Sequence, residues 1–315
     1  MSHFSVIVIG ENIDEQLAPY QEGLEIEFES TEKEYRHKYE TEQTEVVILE
    51  NGSWRWPHDN MFLKNNDVLS NEYEYPETST IQKKYFKDLY VSFEEFMQEY
   101  CGEEDRNEEF NEYGYWHNPQ SKWDWYSVGG RFMGYFKLLP NTTGELGVSG
   151  AFDNKPKEGY VDSIRLCDID VAGMQDYEVK QANETYDKIE EILKGREFPS
   201  WNTILEKHGE DVTSARNEYN SLQVVKDFNL AKFYFWGEFY ETFSNSREAY
   251  IKKCKNQTMV PFAIVKDGKW YQKGKMGWFG MSSEEMTEDD WNKQFWEMIN
   301  NLPPETKLTI VDCHI

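Results

Sequence analysis

The sequence predicts an α+β fold in which a mixed or antiparallel sheet contains both chain ends and helices pack on one side. Three observations point there. The chain opens on Phe4-Ser5-Val6-Ile7-Val8-Ile9 and closes on the run Leu308 to Cys313, two apolar segments of strand length. Helical stripes stand between them, the clearest being Tyr85, Leu89, Phe93, Phe96 and Tyr100 at three- and four-residue steps. Late in the chain, Met259 to Val265 and Lys269 to Tyr271 flank Asp267-Gly268, a hairpin signature. With both ends in one sheet, residues 1–150 and 259–315 form a discontinuous domain, and 151–258 is a mainly helical insertion.

In order, the first strand ends at Gly10 and Asp14 to Tyr20 form a short helical or turn segment. Glu25 to Glu29 alternate in the strand manner, Thr31 to Gln43 are polar and helical, and Val46 to Leu49 fit strand or helix. Thr80 to Tyr100 reads as one helix, stopped at Cys101-Gly102 because glycine takes the left-handed cap readily. The run Lys122-Trp123-Asp124-Trp125-Tyr126-Ser127-Val128-Gly129-Gly130-Arg131 feeds a strand over Arg131 to Leu138. Pro140 to Gly144 turn, and Glu145 to Gly150 return as its hairpin partner. Tyr160 to Ile169 is extended. Tyr177 to Lys194, Trp201 to His208, Val212 to Phe228 and Ser246 to Lys255 are helical, while the aromatic run Phe233 to Phe243 suits a buried helix or strand. Thr287 opens a last helix whose first turn carries Glu288, Asp289 and Asp290, favourable at its positive end. Its core face is Trp291, Phe295, Met298 and Ile299, and Pro303-Pro304 close it.

The 315 residues hold 33 Lys plus Arg against 59 Asp plus Glu, a formal charge of -26. Such a field repels nucleic acid and acidic membranes and suits a basic partner surface, including one that holds DNA. The plainer reading of the same charge is solubility. Aromatics at 16% are too abundant for a disordered acidic chain, so a folded core under an acidic skin is expected. Cys101, Cys167, Cys254 and Cys313 stand far apart with no C-x-x-C pair, which argues against a zinc ribbon or a thioredoxin-type motif. The opening segment lacks a basic n-region and no run approaches membrane-helix length, so a reduced, cytoplasmic setting is expected.

Four sets of motifs stand out: Met1-Ser2-His3-Phe4 with Gln16-Leu17-Ala18-Pro19-Tyr20, the central Lys122-Trp123-Asp124-Trp125-Tyr126 with Gly129-Gly130-Arg131, Gly277-Trp278-Phe279-Gly280 with Leu302-Pro303-Pro304, and the terminal Val311-Asp312-Cys313-His314-Ile315. Together they resemble an uncharacterised family of tailed phages, prophages and bacteria. They bracket the whole chain, although 170–258 carries none of them. The resemblance implies a phage accessory setting, in which many genes counter host defences, and brings no catalytic residues with it.

Four groups of residues invite a functional reading. In Asp312-Cys313-His314, neighbours on a strand face opposite ways, which separates Cys313 from His314 and puts Asp312 and His314 on one side. If the last strand lies beside the first, His3 joins them in a small His/His/Asp acid–base or metal group; partly buried, satisfied histidines are the plainer reading. Trp123, Asp124, Trp125, Tyr126, Gly129, Gly130 and Arg131 offer a phosphate or sugar site, or simply an Asp–Arg pair that organises a turn. Glu103, Glu104, Asp105, Glu108, Glu109 and Glu112 are spaced loosely like strand phosphates, so they suit a nuclease groove or form an ordinary solvated face. Phe233 to Phe243 fits an interface or a core equally. No cofactor and no metal are expected.

The resulting expectation is a phage-encoded anti-defence protein, itself a homo-oligomer in the host cytoplasm. It binds and inhibits a host immune complex, for instance a nuclease/NTPase system such as Gabija, through acidic and aromatic surfaces, without touching nucleic acid or membrane. The alternative is an enzyme acting on a nucleotide or small phosphorylated ligand around Asp124, Gly129, Gly130, Arg131, His3 and His314.

Overall fold

The structure, a computed structural model, describes residues 2–64, 72–102, 106–150, 155–197, 200–231, 246–277 and 280–315. The fold is α+β, and one seven-stranded mixed sheet contains both ends of the chain. The chain divides into two compact units, Met1–Gln21 with Ser121–Ile315, and Glu22–Gln120. These units are drawn differently from the expected 1–150 plus 259–315 and 151–258. The helices of 171–256 share a unit with the sheet, and the segment between the two parts of that unit is Glu22–Gln120.

In the first unit the strand order across the sheet is Lys269–Gln272, Ala263–Lys266, His3–Ile9, Lys307–His314, Trp125–Gly130, Val148–Ser149, with Ser163–Arg165 also on Lys307–His314. The N- and C-terminal strands run antiparallel with His3 opposite His314 and Ile9 opposite Leu308. Both are almost wholly buried, because the sheet is covered on both faces. Ile7, Ile9, Leu308 and Ile310 pack on one side against Trp291, Phe295 and Ile299 of the helix Glu288–Asn300. Phe4, Val6, Val8, Val311 and Cys313 pack on the other against Leu17, Tyr20 and Trp123. Helical segments thus lie on both faces rather than one, the second being closed by the short helix Ile13–Leu17 and the turn Ala18–Tyr20. The Asp267-Gly268 hairpin forms as expected, with φ of 51° and 69°, the two left-handed residues that its tight turn needs.

Three elements differ from expectation. The strand Trp125–Gly130 ends on the glycine pair, of the expected Arg131 to Leu138 only Phe136–Lys137 is strand, and Val148–Ser149 lies beside Gly129-Gly130 in parallel, not as a hairpin return. The helix expected over Val212 to Phe228 is two, Val212–Ser221 and Gln223–Leu230. Leu222 breaks it with ψ of 133° and packs on Ile189, Val224, Val225 and Phe228. In the second unit, Thr80–Tyr85 is a strand rather than the start of a helix, paired along its length with Gln43–Ile48. The helical stripe begins at Phe86, is interrupted at Tyr90, and restarts where Ser92 Oγ accepts from Glu95 N–H at 3.2 Å. Phe86, Tyr90, Phe93, Phe96 and Tyr113 are buried together in one core, whereas Tyr85 and Tyr100 of the expected stripe are each 38% exposed. The Phe233 to Phe243 run lies outside the described residues.

Candidate functional site

Along one face of the two terminal strands the side chains change from apolar to polar. Ile9 and Ile7 give way to Ser5 and His3, and Leu308 and Ile310 give way to Asp312 and His314. The register therefore gathers His3, Asp312 and His314 at one end of the sheet, the grouping expected if the two strands were neighbours. His3 Nδ1 lies 2.9 Å from Asp312 Oδ1, and the two imidazole rings meet edge to face at 4.9 Å. His314 Nδ1 lies 2.7 Å from Asp124 Oδ1. Each imidazole thus has its own carboxylate, which fixes ring orientation and favours a proton on Nδ1. Side-chain exposure is 11% at His3, 6% at His314 and 2% at Asp312, while Asp124 at 38% is the open edge of the group.

The central aromatic run supplies three different contacts. Trp123 is buried in the second face of the sheet, its indole N–H donating to Leu17 O at 3.2 Å. Trp125 stacks on His314 at 4.8 Å and meets His3 edge on. The Tyr126 hydroxyl donates to Asp14; burial, then that carboxylate, pushes its ionisation well above the usual range. Asp124 faces His314, and Arg131 enters the group through its backbone, donating N–H to Asp312 Oδ2 at 2.8 Å.

The glycine pair has a steric cause. Gly129 and Gly130 have φ of 79° and 55°, a region L side chains rarely adopt. A Cβ at Gly129 would lie 2.7 Å from Asp162 Oδ2, and one at Gly130 would strike Asp312 and come within 2.6 Å of Ser127 Oγ. Asp162 is fully buried, and its carboxylate accepts from Gly134 N–H at 2.5 Å and Gly147 N–H at 2.9 Å. Two buried carboxylates therefore occupy the space beside the glycines and take the backbone donors around them. Asp162 was not among the residues singled out from sequence. Its only signal was an acid in the stretch Val161-Asp162-Ser163-Ile164, where it stands between the strands Tyr160–Val161 and Ser163–Arg165.

Cys313 points the other way from His314, into the apolar cluster, and burial keeps its thiol protonated well above the ordinary range. That removes the Cys–His pair as a nucleophile. Among the described residues no group of three or more His, Cys, Asp and Glu is arranged to hold a metal ion.

A second locus lies in the Glu22–Gln120 unit, where Glu27–Ser30 pairs with Gly114–His117 and sets Phe28 opposite Trp116. Phe110 stacks on Phe28 at 4.7 Å with nearly parallel rings and lies 5.9 Å from Trp116. Phe110 and Trp116 are 45% and 36% exposed. The loop that presents Phe110 carries the exposed Glu108, Glu109 and Glu112. On the opposite face of the ribbon Tyr115 donates to Glu29 at 3.0 Å. Acidic and aromatic character thus meet at one surface, which sequence spacing alone did not reveal. Glu103, Glu104 and Asp105 lie outside the described residues.

No family model matches the chain, and neither a curated protein nor a solved structure matches it. Among the described residues no helix is long and apolar enough to cross a membrane.

Proposed function

We propose that the chain is a phage-encoded, non-catalytic inhibitor that binds a basic surface of a host defence complex of the nuclease/NTPase kind. The observation that carries this reading is the Phe28, Phe110 and Trp116 cluster, half exposed and bordered by Glu108, Glu109 and Glu112. Exposed aromatics of this size supply most of the affinity at protein interfaces, and surrounding charge supplies steering and partner choice. A formal charge of -26 selects for a Lys- and Arg-rich partner, the surface by which a nuclease holds DNA. The phage setting rests on the terminal and central motifs.

The paired His–carboxylate contacts favour a second reading, an enzyme for a nucleotide or small phosphorylated ligand. It is the weaker one, because a phosphate beside Gly129-Gly130 would compete with Asp312 and Asp162 for space and for backbone donors. The two readings separate in one assay: purified protein titrated into a purified nuclease/NTPase defence complex, with DNA cleavage as readout. The binder gives inhibition that saturates at a fixed molar ratio. Inhibition by far less than one equivalent, growing with time, indicates turnover and would overturn the binder. Full cleavage at excess protein, across a panel of such complexes, sinks the proposed target class.

A further inference from the structure

A cavity of about 370 Å³ opens in the first unit between the helix Val171–Leu193, the end of the helix Arg247–Asn256, and the segment around Tyr160. It belongs neither to the histidine group nor to the aromatic ribbon. Tyr135, Tyr160 and Tyr177 present aromatic surface to it, and Met174 and Met259, both buried, line its apolar side. Thr258, 4% exposed, stands in its wall, with a buried hydroxyl that has no hydrogen-bond partner among the described residues.

The charges of the lining are one of each sign, Lys157 and Glu178. The Lys157 ammonium already sits 4.1 Å from the Tyr177 ring centre and 5.6 Å from that of Tyr160. The cavity therefore has no net charge with which to select an ion, and the field of the whole chain works against free anions. Its size falls in the range of small-ligand sites, and its composition of aromatic and thioether walls with a few polar groups is that of such sites. Tyrosine faces stack on planar rings, and methionine adapts to their outline. Glu178 and Gln257 in the lining offer a carboxylate and an amide as hydrogen-bonding groups.

We infer that this cavity is a binding site for an uncharged, planar, hydrogen-bonding heterocycle of nucleoside size, stacked against its tyrosine faces. The inference is independent of the protein partner proposed above.

Calorimetric titration of the full chain with adenosine, guanosine, cytidine and uridine, and in parallel with their 5′-monophosphates, tests it. Saturable binding of at least one nucleoside, no weaker than its monophosphate, is expected. Tyr177→Ala should weaken that binding about tenfold, because it removes one of the stacking faces. Tyr177 is 38% exposed, so the same change should leave the melting temperature of the free protein nearly unchanged. Gln257→Trp, at an exposed position on the lining, should block binding without disturbing the core. Failure of all four nucleosides to bind, binding of monophosphates alone, or affinity that survives both substitutions would each overturn the inference.

Discussion

At the scale of single residues, the conformation of the glycine pair follows from two buried carboxylates rather than from a ligand. Asp312 joins His3 to the Arg131 backbone, and Asp162 joins Gly134 to Gly147, so the turn after Trp125–Gly130 is pinned from both sides. Gly130→Ala should cost more than about 2 kcal/mol, since it adds a clash with Asp312 to the cost of a left-handed alanine. Gly159→Ala is the control: its φ is 78° but nothing lies within 4 Å of the new methyl, so only about 1–2 kcal/mol is expected. Urea unfolding of the two variants measures the difference, and equal losses would show that Asp312 does not hold the turn. The sequence made the alliance of His3, Asp312 and His314 legible, because strand periodicity and the pairing of the chain ends decide it. Asp162 and the role of Asp124 were not legible. Both act across the tertiary structure, and an isolated aspartate beside a strand looks the same whether it meets solvent or three backbone amides.

At the scale of elements, hydrophobic period located the terminal strands, the last helix and the Asp267-Gly268 hairpin, where local chemistry and tertiary packing agree. It failed at Thr80–Tyr85. There a six-residue ladder with Gln43–Ile48, including a Lys83–Glu45 pair at 3.9 Å, outweighs a helical preference that is expressed only from Phe86 on, in Phe86–Leu89 and Phe93–Phe96. The aromatic core beneath that region makes an alkaline prediction. Burial, then Glu99, pushes the Tyr90 phenol up to about 12. A group whose ionisation is raised by folding stabilises fully below its unfolded value near 10, and that contribution is lost as pH rises through 12. The Glu22–Gln120 unit should therefore lose roughly 2 kcal/mol between pH 10 and 12, and Tyr90→Phe should flatten that part of the profile. Chemical unfolding followed by tryptophan fluorescence at half-unit pH steps checks it; an unchanged slope in the variant would assign the alkaline loss to other groups.

At the scale of the whole molecule, charge and aromatic content were legible from composition, but their meeting place was not. The ribbon that sets Phe28 against Trp116 joins segments about ninety residues apart, and only its pairing brings Phe110 and its acidic loop beside them. The central claim is that this surface, rather than net charge alone, engages a basic partner. Because exposed charge is screened within about 10 Å at 0.1 M salt, association should weaken steeply with ionic strength while the aromatic contribution persists. The most direct test compares two variants of equal charge against the wild type for binding to a purified nuclease/NTPase defence complex. One carries Glu108→Lys, Glu109→Lys and Glu112→Lys; the other carries Glu191→Lys, Glu206→Lys and Glu210→Lys, exposed positions on or beside helices of the first unit. Loss of at least a hundredfold in affinity for the first, with the second within a fewfold of wild type, is the predicted result. Equal weakening of the two would contradict the account, leaving the acidic skin as a general field with no binding face in the ribbon.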